Sequence, residues 1–137
     1  FLLQICQMNL VKHYRLRNGK KVEGYAKEVS GITYFKGYNE FTWHKNPLQF
    51  DTIDVGVEVL DKRNRRLYTN DIVLYKVLTK PYTRKGFVVF EPNTKEFGII
   101  DMVSFHFTPF YVNDLSLFDK DRLEVISHLF TAKEKSK

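Results

Sequence analysis

A chain of 137 residues with 43% hydrophobic content has apolar side chain enough for one packed domain with an appended N-terminal element, which excludes global disorder. Aromatic residues reach 15% (12 Phe, 8 Tyr) while alanine occurs twice, at Ala26 and Ala132, which favours strands and argues against a helical bundle. The net charge of +6 permits contact with nucleic acid or acidic partners without demanding it, the single Cys6 excludes an intrachain disulfide and fits a reducing cytoplasm, and no apolar run approaches the ~18–20 residues of a membrane span.

Residues 1–8 lack the basic flank of a signal peptide and read as a segment upstream of the domain proper, with Met8 near its end. Residues 9–17 read as a strand. Asn18-Gly19 is the strongest hairpin signal in the chain, with a type I′ turn expected. A returning strand over 20–29, a turn at Ser30-Gly31 and strands at 32–35 and 40–44 complete a meander, so residues 9–50 form an expected N-terminal β-hairpin subdomain. Asn46-Pro47 breaks the pattern and marks the boundary.

The most informative stretch is Val57–Leu78. Asp61-Lys62-Arg63-Asn64-Arg65-Arg66 is too charged to bury cheaply and reads as a solvated turn between strands. Asn64 and Asn70 are the expected left-handed positions, because Asn tolerates that region better than most residues. The Asp71 carboxylate is placed to accept a local backbone N–H, and Ile72–Leu78 is apolar enough for a strand covered on both faces or wrapped into a small barrel. A basic loop follows over 79–86, then strands at 87–90 and 96–101, the latter extended over 103–108 after a kink. Pro109 ends that run, Asn113-Asp114 is expected to cap a short helix through Asp119, and Leu123–Phe130 closes the sheet before a basic tail over 131–137.

Asp61-Lys62-Arg63-Asn64-Arg65-Arg66-Leu67-Tyr68-Thr69-Asn70-Asp71-Ile72-Val73 resembles the signature of the YopX family of phage and prophage proteins. Gly86–Glu91, Phe97–Ile100 and Leu123–Phe130 resemble its following strands in the same order, so the likeness covers residues of about 57–130. Asn64 and Asn70 stand where the family carries glycine, and Ser127 replaces a later one. The resemblance implies a mainly β chain in which residues 51–130 form a small SH3-like β-barrel, with the hairpin-rich N-terminal part as an extension. It also implies a phage- or prophage-encoded protein in the cytoplasm of a bacterial host, non-catalytic and homo-oligomeric, with a host or phage protein as a further candidate partner.

The residues point the same way. His13, His44, His106 and His128 are scattered without metal-ligand spacing, no phosphate-loop, dinucleotide or nucleophile-elbow motif occurs, and no cofactor or metal is expected. The carboxylate pairs Asp51/Asp54 and Asp119/Asp121 read as turn formers. The alternative to an assembly module is a nucleic-acid-binding accessory protein. Its candidate contacts are Arg15, Arg17, Lys20 and Lys21 at the first hairpin, Arg63, Arg65 and Arg66 at the charged turn, and Arg84 and Lys85 in the next loop, interleaved with tyrosines. Charged hairpin tips that keep sheet edges soluble are the blander explanation. Phe105, Phe107, Phe110 and Tyr111 are a local aromatic excess, read as core or as a subunit contact.

Overall fold

Strand pairing accounts for nearly all regular structure in the computed structural model, which describes residues 11–130; Cys6, the expected upstream segment 1–8 and the tail 131–137 lie outside the described residues. The fold is mainly β, its pairings are antiparallel, and the chain divides after Gly56 into two units. Among the described residues no helix is long and apolar enough to cross a membrane.

The first unit contains β1 (Val11–Asn18), β2 (Lys21–Val29), β3 (Ile32–Gly37) and the start of β4 (Thr52–Leu60), in the order β3-β2-β1-β4. Asn18 pairs with Lys21, so the first turn is Gly19-Lys20 rather than Asn18-Gly19. Only Gly19 has positive φ there (+58°), the type II′ pattern in place of the expected I′. Ser30 (+50°) and Gly31 (+80°) make the two-residue turn of the second hairpin. The strand expected over 40–44 shrinks to a single bridge, Phe35 to His44. The Glu40 carboxylate accepts the Gly37 N–H at 2.6 Å and meets His44 Nε2 at 3.0 Å, and these local bonds hold the segment as a loop.

In the second unit, the end of β4 is followed by β5 (Arg66–Tyr68), β6 (Asp71–Tyr75), β7 (Arg84–Glu91), β8 (Glu96–Asp101) and β9 (Phe107–Pro109). Then come β10 (Tyr111–Val112), β11 (Leu115–Ser116), a 3₁₀ turn at Lys120–Arg122 and β12 (Glu124–His128). The main sheet has the order β12-β6-β7-β8-β9 and is open. Asp71, Ile72, Val73 and Tyr75 are all buried, so β6 is covered on both faces. Val73 and Tyr75 join Val57, Leu67, Val88, Ile99, Phe110, Phe118 and Leu123 in one core. Phe118 is the centre of that core's aromatic packing, edge-on to Tyr75 at 5.6 Å and tilted against Phe110 at 5.3 Å. Gly86 lies under it; a Cβ there would stand 2.5 Å from the Ile100 carbonyl and 3.0 Å from the Tyr75 ring.

The helix expected after Asn113-Asp114 is instead the β10–β11 hairpin. Both residues sit at positive φ (+51° and +66°), which suits a two-residue turn and cannot start a helix. Asp119 is the residue that caps, its side chain accepting the Asp121 N–H at 3.1 Å ahead of the 3₁₀ turn. Both edges of the main sheet are blunted. β9 is three residues long and ends in Pro109. On β12, Leu123 O accepts from Lys62 N, Val125 N donates to Asp61, and Val125 O accepts from Arg65 Nη2.

Candidate functional site

Four buried aspartates organise the polar structure, one in the first unit and three in the second. Asp61 is fully buried at the start of the charged turn. Its Oδ1 accepts the N–H groups of Arg63 and Arg65, each at 2.9 Å; its Oδ2 accepts Arg65 Nε at 3.0 Å and Val125 N at 3.1 Å. Burial pushes the Asp61 carboxyl up, but these donors together outweigh it and hold the group below its ordinary value. Asn64 occupies the left-handed region at φ +62° and closes the turn through its N–H to Asp61 O. Asn70 is also left-handed, at +74°, but its N–H donates to Val88 O on β7, and Asp71 accepts the Tyr68 N–H at 2.9 Å and meets His128 Nδ1 at 2.8 Å. The signature residues Asp61, Asn64, Tyr68, Asn70 and Asp71 thus shape two turns and fasten them to β12.

The basic residues do not form a free cationic face. Arg15 and Asp54 are direct cross-strand partners on β1 and β4, both buried, with Nε to Oδ2 at 2.9 Å. Arg17, two residues along on the same face, donates to both Asp54 oxygens. Asp54 is therefore a strand residue and an ion-pair centre rather than a turn former, a role visible only once the β1–β4 register is known. Lys20 is exposed at the hairpin tip, and Lys21 Nζ lies 3.6 Å from Glu23. In the second unit Lys62 and Arg63 each reach Glu124 at 3.3 Å, Arg65 pairs with Asp61, and Arg66 bonds Val57 O and lies 3.4 Å from Glu58. Lys85 is exposed on β7.

Asp101, at the end of β8, is the fourth centre, and the sequence reading passed over it as a strand terminus. It is 2% exposed. Its Oδ2 accepts Arg84 Nε and the Tyr75 hydroxyl, the latter at 2.8 Å; its Oδ1 accepts the N–H groups of Val103 and Ser104 at 2.8 and 2.9 Å. The Arg84 guanidinium holds the Asp101 carboxyl well below the usual carboxylate range. Burial, with Asp101 beside it, pushes the Tyr75 phenol well above its usual value, so Tyr75 stays a neutral donor.

The same aspartate builds the loop beyond it. Phe105 N donates to Asp101 O and Asp101 N to His106 O, closing residues 101–106 into a tight turn. Phe105 stands there at φ +59° and is 72% exposed, with Val103 82% exposed beside it. A left-handed backbone is a genuine outlier for a bulky aromatic residue, at a strain of about 1–3 kcal/mol. The aromatic group 105–111 therefore splits. Phe110 is core, Phe107 is half-buried on β9, and Phe105 and Tyr111 face out, Tyr111 alongside Val112 and Leu115 of the same hairpin.

Two clefts indent the second unit. One, of about 330 Å³, lies between β4 and the β10–β11 hairpin, with Val59, Leu60, Phe110 and Tyr111 in its walls. The other, of about 360 Å³, has Tyr75 and Asp101 in its floor and Lys80, Tyr82, Arg84 and His106 around it. No group of three or more His, Cys, Asp or Glu side chains among the described residues could hold a metal ion.

Fold and site together define an antiparallel β protein whose buried carboxylates serve as acceptors for turns and sheet edges. No protein-family model, curated protein or solved structure matches the chain.

Proposed function

We propose that the chain is a YopX-like, phage- or prophage-encoded interaction module that is non-catalytic and associates with copies of itself in the host cytoplasm, the 101–116 region forming the contact. The observation that carries the reading is Phe105, an aromatic side chain held out into water by a strained backbone that a buried aspartate fastens in place. Val103, Tyr111, Val112 and Leu115 enlarge the exposed apolar surface in the same stretch. Aromatic groups of this kind are enriched at subunit contacts, and a largely apolar surface can meet its own copy across a two-fold axis. Blunted edges on the main sheet favour side-chain contact over strand addition.

Support for a non-catalytic role comes from the carboxylates that an active site would need. Asp54, Asp61, Asp71 and Asp101 are each engaged as hydrogen-bond acceptors inside the fold. The SH3-like barrel for residues 51–130 and the family relation rest on the likeness over residues 57–130, to which the left-handed Asn64 and Asn70 lend support at the family's glycine positions. A nucleic-acid role through the basic tips has weaker support, because Arg15, Arg17, Arg63, Arg65, Arg66 and Arg84 face acidic partners.

Static light scattering across a concentration series tests the proposal. The native chain is expected to gain mass with concentration, and the double variant Val103→Ser, Phe105→Ser to stay monomeric. A native chain that remains a strict monomer at high concentration rejects self-association. Steeply salt-dependent binding of single-stranded or duplex DNA in the same buffers would favour the nucleic-acid role.

A further inference from the structure

The cleft over Asp101 has on one side a set of features, Lys80, Tyr82 and Arg84, that lies outside the 101–116 contact. Lys80 is exposed on the loop after β6. The Tyr82 ring lies against the Arg84 guanidinium, 5.3 Å from its centroid, and Tyr82 is still 47% exposed. Arg84 is held through Nε by a buried carboxylate in the cleft floor whose accepting positions are filled by Tyr75, Val103 and Ser104 as well, so Asp101 fixes the guanidinium. Two cations over one buried carboxylate leave the mouth positive. Ser104, His106 and Thr108 supply further polar groups along the opposite wall.

We propose that this cleft binds a nucleoside monophosphate, its phosphate on Lys80 and Arg84 and its base stacked on Tyr82. A pre-fixed guanidinium beside a lysine suits a phosphate, which accepts in a fork from Arg and as a point charge from Lys. An exposed tyrosine whose ring already lies against an arginine offers a stacking platform that is tolerant of base identity. The volume of about 360 Å³ is in the range of small-ligand sites and would not enclose a longer strand.

The test is a chemical-shift titration of the full chain with AMP, adenosine, inorganic phosphate and a 5′-phosphorylated dinucleotide. AMP is expected to bind with a Kd of roughly 0.1–1 mM, as a half-open site of this size permits. Adenosine and phosphate should each bind at least about tenfold more weakly, because each lacks one of the two anchors. Lys80→Gln and Tyr82→Leu lie on an exposed loop and should each weaken AMP about tenfold while leaving the rest of the spectrum unchanged. Tighter binding of the dinucleotide than of AMP identifies a strand end as the source of the group, and equal or weaker binding identifies the free nucleotide. The proposal is overturned if AMP does not bind the folded chain, if neither variant weakens it, or if phosphate alone binds as well as AMP.

Discussion

The 61–71 stretch and the 101–116 stretch use the same device for opposite ends. Each begins with a buried aspartate that accepts two backbone N–H groups of the following turn and one arginine Nε. Around Asp61 everything exposed is polar or charged: beside Asn64, the cations Lys62, Arg63 and Arg65 lie over the outer edge of β12, bonded to Glu124, Asp61 and Val125. Around Asp101 the exposed residues are Val103, Ser104, Phe105 and His106, and the turn holds the two apolar ones, Val103 and Phe105, away from the core. A buried carboxylate can thus close a surface or open one, depending on the side chains its turn carries.

Removing each aspartate should separate the two roles. Asp61→Ala leaves the Arg63, Arg65 and Val125 donors without their acceptor and uncovers β12, so a loss of about 3–5 kcal/mol is expected in urea unfolding. Asp101→Ala should lose less, about 2–3 kcal/mol, because its turn covers no sheet edge and its Val103 and Ser104 donors lie on exposed residues that water can reach. It should also abolish the concentration-dependent rise in mass. Equal losses, or association that survives Asp101→Ala, would break the contrast.

Acid sharpens it. Asp61 and Asp101 both have carboxyl pKa values lowered on folding, so each stabilises fully above the unfolded-state value of about 3.9 and ceases to do so as pH falls through the folded value. Stability measured by thermal melts should be flat above about pH 5 and decline steadily below it, and Asp101→Asn should flatten part of that decline.

The sequence made some of this legible and hid the rest for identifiable reasons. Asn64, Asn70 and Asp71 could be read locally, because a left-handed turn and an Asx-type acceptor depend on neighbours within a few residues. Asp54 could not, because its partners Arg15 and Arg17 are set by the β1–β4 register across 39 and 37 residues. Asp101 was hidden likewise, since Tyr75 and Arg84 lie on other strands. Asn113-Asp114 misled because helix caps and hairpin turns favour the same residues, and only positive φ at both positions decides between them. Phe105 stood out only as part of the local aromatic excess; its left-handed backbone carried no signal, as aromatic residues rarely sit at positive φ.

Smaller effects bear on the turns themselves. Phe105→Gly should relieve the strained backbone and raise stability by up to about 1 kcal/mol while weakening association, a pairing that a purely structural Phe105 would not show. Asn64→Gly, at φ +62°, should change stability by less than about 0.5 kcal/mol in either direction, whereas Asn64→Val should lose about 1–2 kcal/mol.

Amide hydrogen exchange on dilute and concentrated samples compares both regions in one experiment. Exchange at Arg63, Arg65 and Val125 should be slow and independent of concentration, while amides from Val103 to Leu115 should gain protection as concentration rises. Protection over 103–115 that does not change between the two samples would contradict the account.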